Sequence, residues 1–110
     1  MAAIVADPPR FAAFVADGHG LAEAAIRTDY VNGAQSSPIA FLEGLYVRPA
    51  ARHRGVAKAL VKALERWAHE RGCRELASDA STDNLASHAV HRALGFEETE
   101  RVVFFRKALA

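Results

Sequence analysis

One cysteine, one methionine and one tryptophan occur among 110 residues, and no apolar run approaches the ~20 residues that a membrane-spanning helix needs. A lone Cys73 cannot close an internal disulfide, and near the end of an expected helix it lacks the neighbours of a metal site, so no metal is expected. Charge of one sign is also missing: Lys+Arg 14 against Asp+Glu 13 leaves a formal +1, which excludes nonspecific attraction to nucleic acid or an acidic membrane. The start, MAAIVADPPRF, has neither a basic leader nor a long apolar stretch. These absences predict a soluble, unexported, cytoplasmic protein. No internal repeat or low-complexity tract is present. What is plentiful is core material: 51% of residues are hydrophobic, enough for one domain over residues 1–110.

The apolar segments 11–16 and 21–30 flank DGHG, whose glycines suit a reversal between two strands, although the alanines of LAEAAI also suit a helix. A turn-rich loop, VNGAQSSP, leads to a strand at 39–47 with Gly44 in its middle, a bulge signal. Val56, Leu60, Leu64 and Trp67 then recur at helical spacing over 55–71, and Gly72 is placed to end the helix. RELASD (74–79) reads as a short strand and 85–94 as a second helix, with Leu85, Ala89 and Ala93 on one face and Asn84 among the candidate caps. RVVFFRK (101–107), β-branched and aromatic, reads as a last strand. The order is that of a layered α/β domain.

The strand-to-helix junction RHRGVA carries the chemistry. A helix start already presents unpaired N–H groups and positive dipole, so Arg52, His53 and Arg54 there are unfavourable unless an anion binds. Gly55 would let a phosphate approach where a Cβ would intrude. The residues alone leave two readings open, a pyrophosphate site or an exposed basic loop that binds nothing. A dinucleotide fingerprint and a P-loop are excluded by the missing glycines and Gly-Lys-Ser/Thr ending.

RHRGVA resembles the Gln/Arg-x-x-Gly-x-Gly/Ala signature of the GCN5-related N-acetyltransferases, and NLASHAVHRALGF, from Asn84 to Phe96, resembles their Asn-x-x-Ala/Ser…Tyr-x-x-x-Gly-Phe. DYVNG, SSPIAFLEGLYVRP, ELASDAS and GFEETERVVFFRK are similar to the type I aminoglycoside 6′-N-acetyltransferases, so that the resemblance runs from about Pro9 to Leu109. It implies a GNAT-like mixed sheet with helices on both faces, acetyl-CoA as co-substrate, and direct acetyl transfer to a small-molecule primary amine. The 6′-amine of an aminoglycoside is the implied acceptor.

Residue by residue, the resemblance implies that the backbone of Leu45, Tyr46 and Val47 pairs with the pantetheine arm. It places the pyrophosphate on Arg52, His53, Arg54, Gly55, Val56 and Ala57, and coenzyme contacts at Asn84 and Ser87. Without the family, Asn84 reads as an N-terminal helix residue rather than a ligand. His91 stands where most of the superfamily has the tyrosine that reprotonates the leaving thiolate, a role open to histidine near neutral pH. His88 is expected to face solvent. Asp79 and Glu43 match acidic residues that face the acceptor amine, and Tyr30 matches an acceptor-site aromatic. The alternatives are a helix-surface or hydrogen-bonded histidine for His91, solvent for Glu43 and strand packing for Tyr30. Asp29, Glu43, Asp79, Glu97, Glu98 and Glu100 would supply a negative field for a polycation.

Against the family pattern, the chain enters just ahead of the hairpin, so the usual first strand and first helices are expected to be lacking. An uncovered sheet edge and exposed apolar surface would follow, and a homodimer is expected. The alternative to an enzyme is a coenzyme A-binding, dimerising domain with little catalysis.

Overall fold

The computed structural model describes residues 10–29 and 31–110 together with the backbone of residues 2–4. Strand β1 (Ala2–Ile4), β2 (Phe11–Ala16), β3 (Gly20–Arg27), β4 (Ile39–Val47) and β5 (Leu76–Ala77) form one mixed sheet in that order, with helix α1 (Val56–Glu70) between β4 and β5 and helix α2 (Leu85–Ala93) after β5. β1 to β4 are antiparallel and β5 runs parallel to β4. Among the described residues no helix precedes the hairpin, and β1 pairs only with the stretch Phe14 to Ala16 of β2.

The alanine-rich segment is a strand rather than a helix because it lies beneath α1. Ala12, Phe14 and Ala16 of β2 and Ala22 and Ala24 of β3 are buried on the face that receives Leu60, Leu64 and Trp67. Small side chains on the sheet let bulky ones on the helix approach closely, which is how interiors reach crystal-like density. Trp67 meets Phe14 edge-on, ring centres 5.9 Å apart.

β4 is buried on both faces over Ile39 to Leu42, as befits the strand between the antiparallel hairpin and parallel β5. Its pairing with β3 passes from Glu23↔Gly44 to Ala24↔Leu42, which leaves Glu43 as the extra residue of a β-bulge. The irregularity expected from Gly44 falls one residue earlier.

Three expectations need correction. α2 forms where expected, but its apolar stripe is not a core face: none of its residues is buried, and Leu85 is 71% exposed. Phe96, just beyond it, packs on the main core instead. Segment 101–107 forms no strand, and Phe104 and Phe105 are 84% and 92% exposed. β-propensity is a fit to a pleated, half-buried surface, and without a ladder partner it has nothing to act on. β5 is likewise shorter than the expected 74–79, because it meets β4 only at Ala40↔Leu76 and Phe41↔Ala77.

Candidate active site

That early end of the parallel ladder creates the site. Beyond Phe41 no strand among the described residues pairs with β4 on its β5 side, so the backbone of Leu45, Tyr46 and Val47 has no ladder there. Leu45 packs inward on the main core while Tyr46 is exposed, as alternation along a strand requires.

At the end of β4 the chain passes through a 3-10 turn, Pro49–Ala51, into α1. Arg52 Nε donates to the Val47 carbonyl at 3.0 Å, which pins the basic turn against the strand end. His53 (φ 63°) and Gly55 (φ 78°) are both left-handed. Left-handed residues in such turns produce concavities lined by N–H groups. No side chain caps α1 and no acidic residue lies in its first turn, so its leading N–H groups and dipole are left for an outside acceptor. A Cβ at Gly55 would meet nothing within 4 Å, so the approach is open. Arg52, His53 and Arg54 are exposed beside it, and Val56 and Ala57 are half-buried.

On α2, the Asn84 Oδ1 accepts the Ser87 N–H at 3.0 Å and caps the helix. Ser87 Oγ turns to within 3.3 Å of His91 Nδ1. Both nitrogens of the half-buried His91 ring are engaged: Nδ1 lies 2.7 Å from the Ser87 carbonyl and Nε2 lies 2.7 Å from Ser78 Oγ. A carbonyl only accepts, so Nδ1 carries a proton, while the Ser78 hydroxyl can donate to Nε2 or accept from it. Phe96 braces the ring edge-on at 5.2 Å. His88 departs from expectation: it is half-buried, with Nε2 2.9 Å from the Ser81 carbonyl.

On the face opposite α1, Ser78, Asp79, His88 and His91 line one open cavity of about 790 Å³ with Arg27, Ile39 and Phe41. α1 thus covers one face of the sheet and α2 borders the other. Asp79 lies exposed in the loop after β5. Glu75, Glu97, Glu98 and Glu100 also line the cavity, as do Arg92 and Arg101. Ser36 and the Gln35 N–H donate to the Glu75 carboxylate, which holds its pKa below the ordinary 4.5 and ties the 31–38 loop to the start of β5. Arg101, 2.9 Å away, does the same for Glu98 and neutralises it.

Glu43 is not among the cavity's lining residues. Both its carboxylate oxygens accept from Arg27 Nη2, at 2.9 and 3.2 Å, and the same guanidinium lies 3.7 Å over the centre of the Phe41 ring. Tyr30 lies outside the described residues. Among the described residues no group of His, Cys, Asp and Glu could hold a metal ion.

The model of the acetyltransferase (GNAT) family matches residues 3–96, a span that takes in the parted strands, the basic helix start and the cavity residues Asp79 and His91. The chain belongs to the acetyltransferase (GNAT) family. It is 61% identical over 88 residues to an aminoglycoside N(6′)-acetyltransferase type 1 of Salmonella typhimurium, covering 80% of this chain and 61% of that one. With the protein of that name from Serratia marcescens the identity is 52% over 106 residues, covering 92% and 73%. Among solved structures, AAC(6′)-Iy in complex with the bisubstrate analog CoA-S-monomethyl-acetylneamine superposes with a TM-score of 0.84 at 57% identity, covering 91% of this chain and 71% of that one. The apo aminoglycoside 6′-N-acetyltransferase AAC(6′)-IG from Acinetobacter haemolyticus gives 0.88 at 48%, covering 92% and 72%. The chain spans about 61% of the length of the Salmonella relative.

Within this GNAT domain, sequence reasoning missed Ser78, Arg27 and Phe41. Ser78 directly precedes Asp79 and could have been weighed with it. Arg27 and Phe41 reach Glu43 through the β3–β4 register, which the sequence does not display.

Proposed function

We propose that this chain transfers the acetyl group of acetyl-CoA directly to a primary amine, the 6′-amine of an aminoglycoside. The carrying observation is the parting of β4 from β5 between an uncapped basic helix start and the cavity of Asp79 and His91. The residues present fit the coenzyme. Arg52, His53, Arg54 and the N–H groups around Gly55, Val56 and Ala57 would hold its diphosphate, and the backbone of Leu45, Tyr46 and Val47, on the side without a ladder, its amide arm. Asn84, which caps α2, and Ser87 would add coenzyme contacts from the start of that helix.

When bound, acetyl-CoA supplies the activated acyl group; the chain's own residues handle charge and protons. Asp79 accepts the proton that the attacking ammonium must lose, and a backbone N–H of β4 steadies the oxyanion. His91 has only Nε2 to offer, since its Nδ1–H is held by the Ser87 carbonyl; as the imidazolium it gives the Nε2 proton to the leaving sulfur from the side that Ser78 occupies and is left as the neutral ring. Asp29, Asp79, Glu97 and Glu100 contribute the negative field toward a polycation, and Tyr30 an acceptor-site wall. AAC(6′)-Iy, bound to a coenzyme A–acetylneamine conjugate, supports the acceptor class.

Thiol release from acetyl-CoA tests this, with kanamycin-type acceptors bearing a 6′-amine against relatives with a 6′-hydroxyl. Release confined to the amines is expected. A chain stabilised by coenzyme A that releases no thiol with any acceptor would be a coenzyme-binding domain instead. The ion pair that occupies Glu43 is the one feature favouring that second reading.

We also propose a homodimer. Val103, Phe104 and Phe105, 75%, 84% and 92% exposed, form a β-prone segment without a ladder partner, and a second copy can provide one. Light scattering at micromolar concentration should give twice the chain mass, and a stable monomer would refute it. A cytoplasmic location fits the acetyl-CoA requirement and a free, buried Cys73.

A further inference from the structure

Ser78 makes and breaks no bond in direct acetyl transfer to an amine, yet its surroundings are those of a nucleophile. It directly follows β5, whose last residue Ala77 pairs with Phe41 of β4, and its Oγ lies 2.7 Å from Nε2 of His91 on α2. The imidazole is held from its other side, with Nδ1 2.7 Å from the Ser87 carbonyl, and Phe96 meets it edge-on at 5.2 Å. In the neutral ring the one proton is therefore on Nδ1, Nε2 presents a lone pair and the Ser78 hydroxyl is its donor. A hydroxyl within hydrogen-bond reach of a base, with that base oriented by a third group, is the arrangement of an activated nucleophile. Here a backbone carbonyl does the orienting that a carboxylate does in a Ser-His-Asp triad. Ser78 and His91 are both half-buried and line the open cavity of about 790 Å³, so a small molecule can reach them. Asp79 and Ala80 line it too, and among the described residues their backbone N–H groups make no hydrogen bond. The N–H that follows a nucleophilic serine is a recurrent oxyanion donor.

We propose that Ser78 and His91 form a nucleophile–base dyad that hydrolyses small activated acyl esters through an acyl-serine, an activity separate from acetyl transfer to an amine. Ser78 Oγ attacks the acyl carbon and its proton passes to His91 Nε2, while the N–H groups of Asp79 and Ala80 are at hand for the oxyanion. Collapse of the tetrahedral intermediate breaks the bond to the leaving oxygen or sulfur, which takes that proton from the imidazolium. The acyl group stays as an ester on Ser78. Water then attacks this ester, passes one proton to Nε2, and the departing Ser78 Oγ takes it back. Ester and water have become carboxylic acid and alcohol or thiol, and the dyad is restored. The reaction needs neither the coenzyme nor the amine, so it stands apart from the reading given above.

The test is hydrolysis of p-nitrophenyl acetate by the full chain, read as p-nitrophenolate release and by mass spectrometry of the acid-quenched chain and its peptides. Wild type should turn the ester over and carry an acetyl group on Ser78. Ser78→Ala and His91→Phe should each lower turnover on the order of 10²-fold, and the double variant should fall little further, because the two residues act as a unit. Ser78→Cys keeps a nucleophile at the same place and should be acetylated at position 78, which guards against a folding defect in the alanine variant. Absence of turnover by wild type, acetyl groups found only on lysines or on His91, or full turnover by Ser78→Ala overturns the proposal. So does a Ser78→Cys variant that is not acetylated at position 78. Thiol release from acetyl-CoA with aminoglycosides is read separately. Its absence would refute acetyl transfer and leave the dyad standing, and the converse holds if only the ester is left intact.

Discussion

Gly55→Ala isolates the proposed coenzyme site from the strain of its own backbone. At φ 78° an L side chain costs roughly 1–2 kcal/mol. The new Cβ would touch nothing within 4 Å in the protein, so no steric term is added to the unliganded chain. Gly72, at the other end of α1, has φ 83° and the same empty surroundings, and so supplies a matched control. Both alanine variants should lose stability by that same amount. For a chain of this size, that lowers Tm by roughly 4–10 °C in thermal unfolding followed by circular dichroism. Only Gly55→Ala places a methyl group where a diphosphate would sit and redirects the N–H groups that would hold it. It should weaken coenzyme A binding at least 10-fold by calorimetry, a loss of about 1.4 kcal/mol, while Gly72→Ala binds as wild type. Equal affinities in the two variants would refute the assignment of the basic turn, whatever their stabilities.

Three further perturbations address the other parts. His91→Phe keeps a ring against Phe96 but removes the proton carrier, and should lower kcat on the order of 10²-fold with little change in KM for acetyl-CoA. Ser78→Ala should cost less and shift the pH profile of kcat, and steady-state kinetics that found neither variant slower would exclude His91 as the acid. Glu75 has its folded pKa held below the ordinary 4.5 by Ser36 and Gln35, so its stabilising contribution is complete above that value and is lost as pH falls through the folded pKa. Glu75→Gln retains an acceptor oxygen without the charge, and its Tm relative to wild type should rise between pH 5 and pH 3; parallel Tm curves would contradict this. Trp67→Ala removes a 2% exposed ring and its edge contact with Phe14, and should cost about 3–5 kcal/mol in urea unfolding.

Local chemistry made much of this molecule legible in the sequence. α1 combined a 3.6-residue apolar period with glycines at both ends, and its observed limits lie one residue inside the expected ones. The basic turn was visible because Arg52, His53, Arg54 and Gly55 are contiguous. The homology of two spaced motifs pointed to the GNAT family and to a cavity that holds Asp79 and His91. Expectations that needed a distant partner fared worse. The stripe Leu85, Ala89 and Ala93 has helical period but no surface to cover, and 101–107 has strand composition but no neighbouring ladder. Periodicity reports which face could be buried, and only the rest of the chain, or a second copy, decides whether it is.

Glu43 shows how far a register reaches. Had β4 paired with β3 without a bulge, Glu43 would have been an ordinary mid-strand carboxylate, with its orientation fixed by alternation alone. The extra residue at Glu43 re-aims its side chain and sets the stretch from Gly44 to Val47 against Gly20 to Glu23. That same stretch is the one left without a partner on the β5 side. One irregularity therefore adjoins both halves of the proposed reaction: it directly precedes the strand edge that would hold the coenzyme arm, and it hands the carboxylate to Arg27 beside the acceptor cavity. A substitution that removed the bulge would be expected to damage both affinities at once, whereas Gly55→Ala should damage that for the coenzyme alone.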